Sequence, residues 1–184
     1  MVEVDLSTFK NEDYQPGSFL KRSLWYLASA IFVNSFLPWP YSFKTGVLRL
    51  FGAQIGKGAV VKPYVKIKYP WFLKIGDDVW IGEGVWIDNL TMVTIESNVC
   101  ISQGSMLLTG NHDYKKKSFD LMVEGIHIER GAWVGAKSVV CPGVRCGSHS
   151  VLTVGSIATH NLDPYYLYTG NPAEKRKKRG LIEG

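Results

Sequence analysis

The sequence predicts an all-β solenoid, a parallel β-helix of about five triangular turns, and three observations carry that reading. From Ile55 the chain divides into hexads that each open on an aliphatic residue, the hexads fall into sets of three beginning at Ile55, Ile75 and Ile95, and a small residue often follows the aliphatic one. An alternating strand repeats every two residues and an amphipathic helix every 3.6, so a period of six belongs to neither. It fits a short strand followed by a corner, with the first side chain pointing in and the second at a tight turn that glycine tolerates. Three corners return the chain above its start, one strand spacing of about 4.8 Å higher, so five turns make a prism on the order of 25 Å tall.

The elements follow in order. Residues 1–54 read as an N-terminal cap, which a solenoid needs to cover its end turn. Their opening, MVEVDLSTFKNEDY, carries Glu3, Asp5, Glu12 and Asp13 and lacks the basic-then-apolar run of a signal peptide. The apolar segment Ser23 to Leu37 is shorter than the roughly 20 residues that span a bilayer. It predicts a helix lying either on the core or a partner subunit, or on a membrane surface.

Residues 55–162 are the repeat. IGKGAV, VKPYVK and IKYPWF make the first turn, IGDDVW, IGEGVW and IDNLTM the second, and IESNVC, ISQGSM and LLTGNH the third. The sets begin twenty residues apart, so each carries the same two-residue addition. IERGAW, VGAKSV and VCPGVR, from Ile128, then make a fourth turn, and CGSHSV, LTVGSI and ATHNLD a fifth. Between Leu107 and Ile128 the register is broken by surplus chain, read as a loop over 112–126 extruded at one corner. Insertions of this kind map to a functional face. Residues 163–184 read as a C-terminal cap with the basic tail KRKKR.

Composition narrows the class. With 46% apolar residues the chain is not wholly disordered, and six tryptophans need a core, a partner or a ligand to cover them. Three cysteines, Cys100, Cys141 and Cys146, form no even framework and no C-x-x-C pair, so they read as reduced thiols of a cytoplasmic protein. The net charge of +5 is concentrated in KRKKR, read as a solvated tail or a contact for ligand phosphate or an anionic membrane. No aromatic residues interleave with these charges, which argues against nucleic acid.

The hexads, the loop after TGNHDY, the turn AWVGAKSVVCPGV and the late GNPA resemble the hexapeptide-repeat O-acetyltransferases, which include galactoside, maltose and serine acetyltransferases. FGAQIGKG, KYPWFLKIGDDVWIGEGVWIDN and VCISQGSMLLTGNHDY are similar to the colanic-acid-biosynthesis type, over about residues 20–179. The resemblance implies a left-handed coil, acetyl-coenzyme A as donor, a saccharide acceptor (free, nucleotide-linked or lipid-linked) and a homotrimer with sites between subunits.

Acyl transfer from a thioester to a sugar hydroxyl needs a base for the hydroxyl proton, and histidine suits that role near neutral pH. His112, at the register break, matches the general base of the resembled family. Asp113, Asp88 or a backbone carbonyl is expected to orient its imidazole. Asn89 and Asn111 are candidate acceptor contacts, with corner capping as the rival role for Asp88 and Asn89. Trp133 matches a tryptophan near donor and acceptor, or packs at an interface. For the donor, the resemblance implies Gly135, Ala136, Gly155 and Ser156 along the pantetheine and His160, Arg176 and Arg179 near the phosphates. His160 stands where relatives carry lysine, and Thr153 and Val154 where a Gly-Ala pair is common. His127 and His149 read as structural or solvated.

Three other readings fit parts of the sequence. A zinc-dependent γ-type carbonic anhydrase shares the prism, but the H-x-x-x-x-H pair is missing and no metal site is expected. A non-catalytic scaffold of polysaccharide assembly and an amino-sugar N-acetyltransferase are the others.

Overall fold

In the computed structural model, which describes residues 3–182, the hexads become strands of two or three residues. The first turn is β1 (Gln54–Ile55), β2 (Val60–Val61) and β3 (Lys66–Ile67); the second is β4 (Leu73–Ile75), β5 (Trp80–Ile81) and β6 (Trp86–Asp88). The third is β7 (Val93–Ile95), β8 (Cys100–Ile101) and β9 (Met106–Leu108). The chain then leaves the prism as an antiparallel hairpin, β10 (Gly110–His112) and β11 (Leu121–Val123). It returns as β12 (Ile126–Ile128), β13 (Trp133–Val134) and β14 (Val139–Val140), and β15 (Arg145–Cys146), β16 (Val151–Leu152) and β17 (Ile157–Ala158) complete the fifth turn. Each strand pairs in parallel with its counterpart one turn below, giving three faces and a left-handed coil.

The inward stack drives folding. Val61, Ile81, Ile101, Val134 and Leu152 rise along the second face, none more than 1% exposed. Burying each such side chain contributes roughly 1.5–3 kcal/mol. The fifth residue of most hexads also turns inward. At the corner between the second and third faces it is serine in the upper turns, where Ser105 Oγ donates to the carbonyls of Ser102 and Gly135, and Ser138 Oγ to that of Thr153.

The corners work differently from the sequence reading. The second hexad position was expected to be the tight turn, yet the left-handed backbone falls on the fourth. Gly84 and Gly104 adopt it there, and so do Tyr64, Asp78, Asn98, Lys137 and His149. The second position needs glycine for proximity instead: a Cβ on Gly82 would lie 2.6 Å from the Gln103 nitrogen in the next turn.

The turn count also differs. Five turns were expected, but a partial sixth follows. Leu162 bridges to Cys146 on the first face, and β18 (Tyr166–Gly170) pairs with β16 on the second. No further hexad supplies a third side. The chain reverses at Asn171–Pro172 and returns as β19 (Ala173–Lys178), antiparallel to β18. Most of the basic run read as a tail is therefore a strand, anchored by the buried Ala173.

At the other end the expected helix lies earlier and has a companion. Helix α1 spans Phe19–Phe32 because Ser18 Oγ accepts the Lys21 N–H as an N-cap; the remainder of the apolar segment is irregular. Its Trp25 is buried and donates Nε1–H to the Ile67 carbonyl at 2.9 Å. Helix α2, Tyr41–Leu50, buries Lys44, Thr45 and Leu48 against the first turn. Desolvation lowers the pKa of Lys44 there. Among the described residues no helix is long and apolar enough to cross a membrane.

Candidate active site

His112 ends β10, on the hairpin extruded between the third and first faces. Its ring stacks on Phe119 at 4.4 Å between centroids, 9° from parallel, and Nδ1 lies 2.8 Å from the Phe119 carbonyl oxygen. A carbonyl only accepts, so Nδ1 carries a proton, and in the neutral imidazole the lone pair lies on Nε2. Phe119 can fold back in this way because its own backbone is left-handed, at φ +52°.

A second wall comes from the far N-terminus. The Phe9 ring lies 5.9 Å from the imidazole, and its segment is tied to the hairpin by the Asp5 N–H to the Lys117 carbonyl and by a Lys117–Asp5 ion pair of 3.5 Å. Tyr14 continues the tether, donating its hydroxyl to the Leu90 carbonyl at 2.7 Å. Residues 3–16 thus embrace the hairpin, a role the reading of residues 1–54 as an end cap did not contain. The left-handed Phe119 had no signature in the sequence, and nothing there joined Phe9 to a residue over a hundred positions away.

Neither carboxylate expected to orient the imidazole has a hydrogen bond to it among the described residues. Asp113 Oδ1 accepts the Lys115 backbone N–H, and Asp88 pairs with Lys68 at 3.0 Å. The carbonyl takes that place because the hairpin folds Phe119 onto the ring, whereas Asp88 belongs to the turn beneath.

Asn89, expected to meet the acceptor, is fully buried with its amide committed. Oδ1 accepts from the Lys68 and Tyr69 nitrogens, and Nδ2 donates to the Tyr69 and Phe72 carbonyls. It clamps the corner carrying the two extra residues, so it serves the scaffold. Asn111 is exposed beside His112 and accepts the His112 N–H at 2.8 Å. It lines a cavity of about 300 Å³ with Met122, Glu124, Cys141, Pro142 and Thr159.

The residues expected along the donor lie elsewhere. Gly135, Ala136, Gly155 and Ser156 occupy the corner between the second and third faces. Gly135 is held tightly, since a Cβ would meet the Leu152 oxygen at 2.7 Å, while a Cβ on Gly155 would meet open space. Ala136 takes part through its carbonyl, which accepts the Gly155 N–H. Ser156 is buried, and its hydroxyl accepts the Gly170 N–H, tying the corner to β18. Trp133 stands on the adjoining second face, 45% exposed, donating Nε1–H to Ser102 Oγ.

The three basic candidates diverge. His160 is exposed at the upper end of the His112 edge, with Nδ1 3.2 Å from Thr159 Oγ1. Arg176 is exposed on β19 and meets Glu174 at 3.4 Å. Arg179 points to the first–second corner, where it donates to the carbonyls of Gly131 and His149, so that guanidinium nitrogen is committed to the scaffold. A step of five or six residues at about 3.3 Å each puts the donor corner roughly 15–20 Å from the His112 edge. One chain does not bring the two groups together.

The outward faces differ in character. The first presents Gln54, Lys74, Thr94, His127 and Arg145 in register. His127 is paired with Glu96 at 2.8 Å. On the second, Trp80 and Trp133 flank Cys100; on the third, Trp86 stands below Met106. Those four large residues are exposed, Trp80 by 62%. Cys146 is buried, and burial followed by the Glu129 charge pushes its thiol up to about 12, so it is inert. Among the described residues no three His, Cys, Asp or Glu side chains gather to hold a metal ion.

No family model matches the chain. It is 35% identical over 176 residues to the putative colanic acid biosynthesis acetyltransferase WcaF of Escherichia coli K12, covering 95% of this chain and 97% of that protein. Galactoside O-acetyltransferase of E. coli K12 is 32% identical over 65% of the chain and 61% of its own length. Among solved structures, a hexapeptide-repeat acetyltransferase of Vibrio cholerae complexed with acetyl-coenzyme A superposes with a TM-score of 0.81 at 21% identity, covering 95% of this chain and 97% of that one. A galactoside acetyltransferase in complex with coenzyme A gives 0.79 at 24%, over 88% and 82%. These last two speak for the fold. The prism interrupted by a histidine-bearing hairpin, together with identity running nearly end to end with WcaF, places the chain in the hexapeptide-repeat acetyltransferase family, with the colanic acid biosynthesis acetyltransferases as relatives.

Proposed function

We propose that this chain transfers the acetyl group of acetyl-coenzyme A to a hydroxyl of a saccharide in exopolysaccharide synthesis, in the cytoplasm, with His112 as general base. The observation that carries the reading is the imidazole's geometry: with Nδ1–H on the Phe119 carbonyl, Nε2 is free to take a proton. The acceptor hydroxyl gives its proton to Nε2 as its oxygen attacks the thioester carbonyl carbon. The tetrahedral intermediate collapses by expelling the thiolate, which takes the proton back from the imidazolium, so coenzyme A leaves as a thiol and the base is regenerated. The carbonyl partner disfavours rotation of the ring between the two proton transfers.

The separation of His112 from Gly135, Ala136, Gly155 and Ser156 supports a site completed by a neighbour. The apolar columns on the second and third faces meet at the donor corner, while the polar first face suits solvent. Contact between unlike faces closes into a ring, and three prisms around a threefold axis set one chain's His112 edge beside the next chain's second face. Trp133 would then line the groove at the junction.

The test is acetyl transfer from acetyl-coenzyme A to a panel of free, nucleotide-linked and lipid-linked sugars, comparing wild type with His112→Ala. A fall of roughly 10²–10⁴-fold supports the base assignment; an unchanged rate refutes it. Transfer to amino groups but not to hydroxyls would move the activity to N-acetylation.

A further inference from the structure

The charge of this chain is divided along the prism. Residues 14–76, which comprise both helices and the first turn, carry nine lysines and arginines and no aspartate or glutamate. The rest of the chain carries twelve basic residues against sixteen acidic ones. One end of the molecule is strongly cationic and the remainder is net acidic. The first turn and the strand that opens the second show the pattern on every side, since Lys57, Lys62, Lys66, Lys68 and Lys74 are all exposed around them.

The same end exposes unpartnered apolar side chains. Helix α1 packs through Trp25, Ala28 and Phe32. On its other side Leu20, Leu24, Leu27 and Ile31 follow one another at spacings of four, three and four, a single stripe, and each is at least half exposed. Phe19 and Tyr26 flank the stripe at 78% and 75% exposure. Helix α2 adds Leu50, 83% exposed, on the side opposite its buried Leu48. An aliphatic stripe beside a ring of lysines suits an interface where hydrocarbon and anionic headgroups lie within a few ångströms.

We propose that the N-terminal end of this protein docks on an anionic lipid bilayer, with the outer stripe of α1 and the tip of α2 in the headgroup–acyl boundary and the first-turn lysines against lipid phosphates. A second copy is the less suitable occupant. In an assembly of parallel prisms the neighbour presents the same level of the solenoid, which is equally basic and without an acidic residue. A polyanion such as nucleic acid would use the lysines and leave the stripe uncovered. The proposal goes beyond acetyl transfer and does not rest on it.

The experiment is co-sedimentation of the full-length protein with vesicles of phosphatidylcholine mixed with phosphatidylglycerol, and with phosphatidylcholine alone. Binding is expected to the anionic vesicles, to weaken as salt is raised, and to fall roughly tenfold or more in two variants. One is Leu24→Asp with Leu27→Asp; the other is Lys57→Glu with Lys74→Glu, which lies on the prism and keeps the test valid should the helix variant unfold. Subunit number and melting temperature are expected to stay as in wild type. The proposal is overturned by equal binding to neutral vesicles or none to either, by vesicle binding that survives the lysine reversals, by dissociation of the oligomer in the α1 variant, or by retention on heparin without vesicle binding.

Discussion

Two corners of this prism solve opposite problems. The corner between the second and third faces is closed: glycines at the second hexad position sit so near the next turn that no side chain fits, and inward serines satisfy their hydroxyls on neighbouring carbonyls. The corner between the third and first faces is opened once, at Thr109, and the surplus chain becomes a hairpin held by contacts from far away in sequence. The closed corner is stability distributed over many repeats. The open one presents a single imidazole, held by an aromatic stack, one carbonyl and a tethered N-terminal segment. Changes at the first should therefore act on melting, and changes at the second on rate.

The largest expected effect is at the open corner. His112→Ala should lower kcat by roughly 10²–10⁴-fold, about 3–5.5 kcal/mol of barrier, while its melting temperature stays close to wild type. Loss of folding in its place would make His112 structural and dissolve the contrast. Next comes Asn89→Ala, which strands the amides and carbonyls of the clamped corner and should destabilise the fold by about 3 kcal/mol in chemical denaturation. A rise in KM without loss of stability would return Asn89 to the acceptor site.

Gly82→Ala should cost about 1–3 kcal/mol, because its new methyl meets backbone that the next turn cannot move cheaply. A neutral result would show the closed corners to be more compliant than their spacing implies. Phe9→Ala should then lower kcat several-fold through a less fixed imidazole, with hydrogen exchange accelerated in residues 110–123 and unchanged in the prism. Equal exchange in both proteins would remove Phe9 from the site.

The smallest effect is a pH dependence. Burial, then the charges of Arg179 and Arg130, hold the pKa of His149 below its ordinary value near 6.5. The folded state therefore prefers the neutral ring. The stability gained is present above the ordinary value and is lost as pH falls through it toward the folded value. His149→Asn, which tolerates the left-handed backbone at that corner, should show a smaller drop in melting temperature between about pH 7 and about pH 5. A drop as large as that of wild type would assign the dependence to other groups.

By itself the sequence determined the solenoid, its inward stack and the corner where the chain escapes, although the hairpin begins at Gly110 rather than at the expected 112. Each of those is written in a local period, and a local period needs no knowledge of distant residues. It misplaced the left-handed corner residue, because a glycine at the second position and a glycine at the fourth look alike in a hexad; only the spacing between turns separates proximity from turn geometry. It read the basic run as a tail because nothing local announces that β18 will hydrogen-bond to β16 and offer its other edge to β19. Asn89, suited by type to a sugar, became a clamp because the extra residues of its corner fold over it. The tertiary structure alone decided what holds the His112 imidazole. Its partners, Phe119 behind a left-handed bend and Phe9 across a tether of more than a hundred residues, meet it only once the hairpin and the N-terminal segment have closed on each other.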